Sequence, residues 1–385
     1  MRSIPDHSKK LSRRAFLQAG LCGACALGLS SLPGIIRPAR AESPRKGFTN
    51  PRPSEWYKGL ENGRIECTLC PVQCRLRPGE RGKCRVRENR DGQAYTLAWG
   101  NPVLVQTDPV ERKPFFHVLP GSRALSVSTA GCPLECRFCE VWDMALAAPE
   151  EVHAYDLSPE EVVGHAKSAG ARAVSCAFGE PVAFYEYMRD IAEKARAEGL
   201  LNLVHTSGYI NREPLEEIAG LIDAVNVDLK GFDESFYREM TGGELSTVKE
   251  TLRILGKNGV HIEITNLVIP GVNDDPDPVA SMCRWIRDEL GPGVPVHFAR
   301  FYPLYKLANL PPTPVSTLDK VRGTALGEGL EHVYVSRVTG HEGENTFCPA
   351  CGEKVIDRMG FVVEAIHMED GRCIHCDTKI SGKWA

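Results

Sequence analysis

From Ala124 to about Arg300, short β-type runs alternate with amphipathic helical patterns, and that alternation restricts the chain to a parallel sheet of βα units. Strands are expected at Leu125–Ser128, Ala173–Ala177, Leu201–His205, Ala224–Asp228, Ile262–Val268 and Val296–Phe301. Helical patterns occupy Tyr185–Glu198, Pro214–Ile222, Thr247–Lys257 and Pro278–Leu290. A further helix should open at Ser158, which can cap; Pro159 suits the first helical position and Glu161 completes a capping box. Gly170, Gly199 and Gly259 sit where helices end. The expected fold class is therefore α/β, as a partial (β/α)6 TIM-like barrel. Eight full units do not fit comfortably in this length, and chemistry would gather at the C-terminal ends of the strands.

Fifteen cysteines are the second constraint. All but Cys283 lie before residue 85, within 132–176, or after 347. Most are two or three residues apart, a spacing that lets thiolates face one ion or cluster. A disulfide framework competes, but a chain of 385 residues does not need such staples. Cys132-Pro133-Leu134-Glu135-Cys136-Arg137-Phe138-Cys139 closely follows the first expected strand. Three thiolates on one tight loop can hold three irons of a [4Fe–4S] cluster and leave the fourth open for chemistry. The competing reading is a zinc or purely structural cluster site. Cys348, Cys351, Cys373 and Cys376 form two knuckles around a hairpin-sized insert, a zinc-ribbon-like unit with four zinc ligands, although a rubredoxin-like iron has the same ligands. Cys67, Cys70, Cys74 and Cys84 suit either zinc or an auxiliary iron–sulfur cluster. Cys176 and Cys283 read as buried small hydrophobes.

The C-x3-C-x2-C spacing, with Phe138 before the last cysteine, resembles the signature of the radical S-adenosylmethionine (SAM) superfamily. The resemblance implies that Cys132, Cys136 and Cys139 hold the catalytic cluster and that SAM is reductively cleaved to a 5′-deoxyadenosyl radical. It implies cofactor contacts on later strand ends. Ser175-Cys176-Ala177-Phe178-Gly179-Glu180-Pro181 is similar to the family's Gly-Gly-Glu-Pro motif, with Phe178 in place of the first glycine. Glu180 would accept from the methionine ammonium and Gly179 would allow close approach; a helix N-cap acid is the alternative for Glu180. His205-Thr206-Ser207-Gly208 stands where relatives often have Asp-Thr-Asn-Gly, which keeps Ser207 as a cofactor candidate. Asp228-Leu229-Lys230 is close to the Asp-x-Lys of glycyl-radical activating enzymes, where the lysine would pair with the methionine carboxylate; a solvated strand end is the alternative. By the same analogy His297 is expected to reach the cofactor, although a lone strand histidine is more often a core residue.

Residues 124–303 resemble the pyruvate formate-lyase activating enzyme group. The chain from 65 onward is more similar still to the radical enzyme of the AmmeMemoRadiSam system, on Cys67-Thr68-Leu69-Cys70-Pro71, Asp108-Pro109-Val110-Glu111-Arg112-Lys113-Pro114 and the terminal cysteine pairs. The resemblance implies a low-potential electron donor and either a protein substrate, with other proteins of that system as partners, or a small molecule. The reading from a different class is a non-enzymatic iron–sulfur and zinc protein that carries electrons or acts as a scaffold.

Residues 1–41 read as an address. Ser12-Arg13-Arg14-Ala15-Phe16-Leu17 looks like a twin-arginine export signal, and Ala39-Arg40-Ala41 fits a cleavage site. The expected location is periplasmic or membrane-associated, or cytoplasmic if that signal does not operate. The remaining divisions are a linker at 42–64, a cysteine-rich unit and connector at 65–123, the core at 124–303, an extension at 304–340 and the zinc-ribbon-like module at 341–385. A net charge of −4 gives no bulk reason to expect nucleic acid.

Overall fold

The computed structural model describes residues 43–385. The expected export signal, with Arg13, Arg14, Cys22, Cys25 and the Ala39–Ala41 pattern, lies outside the described residues.

The main sheet has eight strands: β1 Leu104–Pro109, β2 Arg123–Ser128, β3 Ala173–Cys176, β4 Leu201–Thr206, β5 Ala224–Asp228, β6 His261–Val268, β7 Val296–Arg300 and β8 Val333–Ser336. They lie side by side in the order β8 to β1. Strands β2 to β8 pair parallel, and β1 pairs antiparallel with β2. One helix of eight residues or more lies in each parallel connection, in four of them beside shorter helical turns: α1 Pro159–Ser168, α2 Tyr185–Ala197, α3 Arg212–Ala219, α4 Leu245–Lys257, α5 Pro276–Leu290 and α6 Val315–Gly327. At α1 the capping box forms as expected: Glu161 N donates to Ser158 Oγ (3.2 Å), and Ser158 N to Glu161 Oε2 (2.7 Å). The six expected strands are present within two residues of their ends. Strand β8 is a seventh parallel strand inside the expected extension 304–340, and β1 adds an antiparallel edge.

The period of two along each strand separates two kinds of surface. Val127, Val174, Val204, Val225, Ile264, Val296 and Val335 share one buried cluster with Val162, Ile191, Leu252 and Ile286 from the helices. Such fully buried side chains contribute about 1.5–3 kcal/mol each. The alternate positions are largely polar: Ser126, Ser175, His205, Asn226, Asp228, Glu263, Thr265, His297 and Ser336. A face of that composition needs partners or a ligand.

Part of that face is closed from below by the segment after β1. Asn226 Nδ2 donates to the Pro114 carbonyl (2.8 Å), and the amides of Phe116 and His117 donate to Glu263 (3.0 and 2.8 Å). The stretch expected as a linker is tied down by pairing: Arg45–Lys46 with His153–Ala154, Arg52–Pro53 with Tyr95–Thr96, and Tyr57–Gly59 with Ile65–Cys67. Its Pro and Arg content concealed these two- and three-residue strands. The C-terminal module is a three-stranded antiparallel sheet, Thr346–Phe347, Lys354–Met359 and Val362–Ile366, followed by a small hairpin of Met368–Glu369 and Arg372–Cys373.

Candidate active site

A cavity of about 800 Å³ opens at the C-terminal ends of the strands. Cys132, Cys136 and Cys139 line it together with Phe138, Gly179, Glu180, Ser207, Asp228 and Lys230. Nine of the ten residues assigned from sequence to the cluster and SAM thus meet in one place. His297 is the exception and is corrected here. It shares its strand face with Ala299, which does line the cavity, but it lies two residues, roughly 6–7 Å, deeper. There it is fully buried, its Nε2 bonded to Glu263 Oε2 (2.6 Å) and its ring packed between Phe116 and Tyr334. Strand parity gave its facing; the floor segment above decides its depth.

The cysteine loop follows β2 and is held from outside. Glu135 N and Arg137 N donate to the carbonyls of Thr241 and Met240 (2.9 Å each), and Leu134, Cys136 and Phe138 pack with Tyr209, Ile269 and Phe301. Burial pushes the Cys136 thiol up to about 12 and raises Cys132 and Cys139 as well. A metal must therefore displace protons to bind here.

Across the cavity Glu180 is tightly placed. Its Oε1 accepts from Thr206 Oγ1 (2.6 Å) and Val182 N (3.1 Å), and its Oε2 from Ser207 N (2.9 Å). It therefore both caps the turn Pro181–Phe184 and faces the cavity. The Ser207 hydroxyl is buried without a partner, as are Glu111 Oε2, Thr265 Oγ1 and Ser336 Oγ on the same lining. Buried polar atoms of this kind are satisfied by a ligand or water. A Cβ on Gly179 would stand 2.2 Å from Ser128 Oγ, so only glycine lets the chain pass there. Phe178, in the place of the expected glycine, takes φ +72°. That conformation costs a non-glycine residue about 1–3 kcal/mol. The ring is held under Lys113 Nζ (5.1 Å) and the Arg112 guanidinium (5.8 Å).

Asp228 binds Lys230 Nζ (2.7 Å) and His205 Nε2 (2.9 Å). Burial opposes its charge, but Lys230 and His205 outweigh burial and hold the carboxyl well below its ordinary range. Burial likewise works against the Lys230 charge, and Asp228 reverses it and raises the ammonium. A cationic head thus stands 5.9 Å from the Phe138 ring, beside the cysteines. The donor set suits the cofactors that the sequence implies: three thiols for iron, carboxylate and hydroxyl for an ammonium, lysine for a carboxylate.

Other lining residues were not foreseen from sequence: Glu111, Arg112, Pro114 and Phe116 from the segment after β1, and Ser336, Arg337, Met359 and Phe361 from β8 and the chain after it. Burial pushes the Glu111 carboxyl up to about 6 against the pull of Arg358, whose Nε lies 4.0 Å away. The signal was the Asp108–Pro114 stretch, which carried resemblance without an assigned role. At the other end of the chain, Cys348 Sγ and Cys376 Sγ lie 3.5 Å apart and Cys351 Sγ and Cys373 Sγ 3.7 Å apart, a preformed four-thiol metal site.

Residues 126–283 match the family model described as the Radical SAM superfamily. An uncharacterized protein of Methanocaldococcus jannaschii is 39% identical over 331 residues, spanning 86% of this chain and 98% of that protein. The pyruvate formate-lyase 1-activating enzyme of Escherichia coli K12 is 26% identical over 210 residues, 50% of this chain and 84% of the enzyme. Among solved structures, a radical SAM methyltransferase from Sphaerobacter thermophilus aligns with a TM-score of 0.46 at 19% identity, over 58% of this chain and 70% of that one.

Proposed function

This chain belongs to the radical SAM superfamily, and on that premise we propose that it holds a [4Fe–4S] cluster and SAM in the 800 Å³ cavity and takes a hydrogen atom from a substrate that enters the same cavity. One observation carries the reading: three thiols on one loop face a large cavity, and no fourth cysteine lines it among the described residues. When bound, the cluster and SAM supply a 5′-deoxyadenosyl radical upon one-electron reduction.

The chain's own residues do the positioning. Cys132, Cys136 and Cys139 hold three irons. Glu180, oriented by Thr206 and the Ser207 amide, accepts from the methionine ammonium, with the Ser207 hydroxyl as a further partner. Lys230, anchored by Asp228, attracts the methionine carboxylate. Gly179 lets the cofactor approach the backbone, and Phe138 walls it. Pro114 and Phe116 close the floor of the cavity and limit solvent entry there. We read the sheet as a partial (β/α)6 barrel with β8 as an added strand, and the C-terminal quartet as a zinc site.

A protein segment is the substrate class we favour. The E. coli relative, by its name, activates another enzyme. At the mouth here Tyr302, Met359 and Phe361 are each about 45% exposed, an apolar rim suited to a peptide. The same reading calls for a low-potential electron donor, includes the AmmeMemoRadiSam proteins as partners and places the protein in the twin-arginine export route. Changing Arg13 and Arg14 to Lys should retain it in the cytoplasm; unchanged fractionation removes the export claim. For the chemistry, the full chain is reconstituted anaerobically with iron and sulfide, reduced with dithionite and assayed for 5′-deoxyadenosine. An intact cluster with bound SAM and no product would overturn the enzymatic reading.

A further inference from the structure

Three cysteine groups lie among the described residues, and their spread differs. Among the described residues, only the C-terminal quartet has all its sulfurs within 4.8 Å of one another. That convergence suits a single ion: with Zn–S bonds of about 2.3 Å, four sulfurs must nearly touch. In the Cys132 loop the three sulfurs do not all meet that limit, a spread that would suit a cubane rather than one ion. The group of Cys67, Cys70, Cys74 and Cys84 behaves like the loop and not like the quartet. Its four thiols line one hollow with Leu69, Val72, Val182, Ala183 and Pro133 as apolar walls, and Lys83 N donates to Cys74 Sγ (3.3 Å).

The hollow also touches the catalytic loop. Pro133 is the neighbour of Cys132. A Cβ on Gly131, the residue before Cys132, would stand 2.7 Å from the Cys84 carbonyl oxygen. Lys83 and Arg85 both reach Glu135 (3.9 and 4.0 Å). Cys74 and Cys84 are partly exposed. The group therefore lies between the surface and the cysteines that face the cavity.

We propose that Cys67, Cys70, Cys74 and Cys84 hold a second [4Fe–4S] cluster, not zinc, and that it relays single electrons to the cluster on Cys132, Cys136 and Cys139. The relay rests on the radical SAM reading above; the cluster assignment does not. One electron leaves a low-potential flavodoxin- or ferredoxin-class donor and passes inward. It is consumed in breaking one carbon–sulfur bond of SAM, giving methionine and the 5′-deoxyadenosyl radical, with no proton taken up.

The full chain is reconstituted anaerobically and measured for iron, sulfide and zinc. The expected result is a single zinc per chain, bound by the C-terminal quartet, and an iron content that Cys70→Ser lowers by about half. Two zinc ions per parent chain would overturn the assignment even if Cys70→Ser fails to fold. Reduced samples should give two electron-paramagnetic signals, of which SAM shifts one; Cys136→Ala removes the shifting signal and Cys70→Ser the other. Two signals with neither responding to SAM would overturn the radical reading and leave the second cluster standing. With reduced flavodoxin, Cys70→Ser should cleave SAM at least tenfold more slowly than the parent while dithionite restores the rate. Equal loss with both reductants would overturn the relay.

Discussion

The Cys132 loop and the C-terminal quartet are both thiol centres, yet they are built for opposite ends. The quartet's four sulfurs converge on each other, on a module with its own antiparallel sheet. The loop offers three sulfurs to a cavity and is fixed by the helical turn at Met240–Thr241 and by Ile269 and Phe301. A complete donor set makes a stable element; an incomplete one against a cavity leaves a place for chemistry.

Cys136→Ala tests that contrast most severely. It should cut 5′-deoxyadenosine formation by more than a thousandfold and leave zinc content unchanged; loss of zinc as well would break the comparison. Next in size is Lys230→Met, which leaves the Asp228 carboxylate with His205 alone. A cost of about 3 kcal/mol is expected in chemical denaturation, with SAM binding weakened at least tenfold by equilibrium dialysis. Cys373→Ser should release zinc while the SAM-responsive signal of the reduced cluster persists, since no quartet residue lines the cavity. A vanished signal would mean that the two centres are not independent.

The smallest effect concerns Glu111, near which the two regions meet through Arg358. Its carboxyl is raised by burial from 4.5 to about 6. Below pH 4.5 it is neutral folded or unfolded and costs nothing. As pH rises from 4.5 to 6 the native state holds the extra proton, so stability falls, by about 2 kcal/mol at most, and stays lowered above. Glu111→Gln should lack that loss: urea melts of parent and variant should agree most closely near pH 4.5 and diverge in the variant's favour at pH 8. A constant difference across that range would show that Glu111 titrates normally.

Much of this was legible in the sequence where a pattern is local. The strands around Val174 and Val225 are buried β-branched runs, and α1 announces itself with Ser158, Pro159 and Glu161. The cysteine loop is readable because its ligands are adjacent. Strand β8 has four residues and no flanking signal of its own beyond the helix before it. Glu111 and His297 escaped for a shared reason: their roles depend on what lies over them. The segment Pro114–His117 covers His297, and the module's Arg358, donating to the Phe116 carbonyl (2.7 Å), approaches Glu111. Phe178 shows a further limit. The glycine-like backbone is kept without glycine because Arg112 and Lys113 secure the ring, a long-range remedy that a motif comparison does not contain.

The cavity wall supplied by Met359, Gly360 and Phe361 has a consequence for biosynthesis. These residues lie near the end of the chain, and a protein grows from its N-terminus on the ribosome. Strands β1 to β8, and the thiols of the Cys132 loop, have all been made before that wall exists. Until the module that carries this wall folds, the cavity lacks it, so the Cys132 loop is more open on the growing chain than in the folded protein.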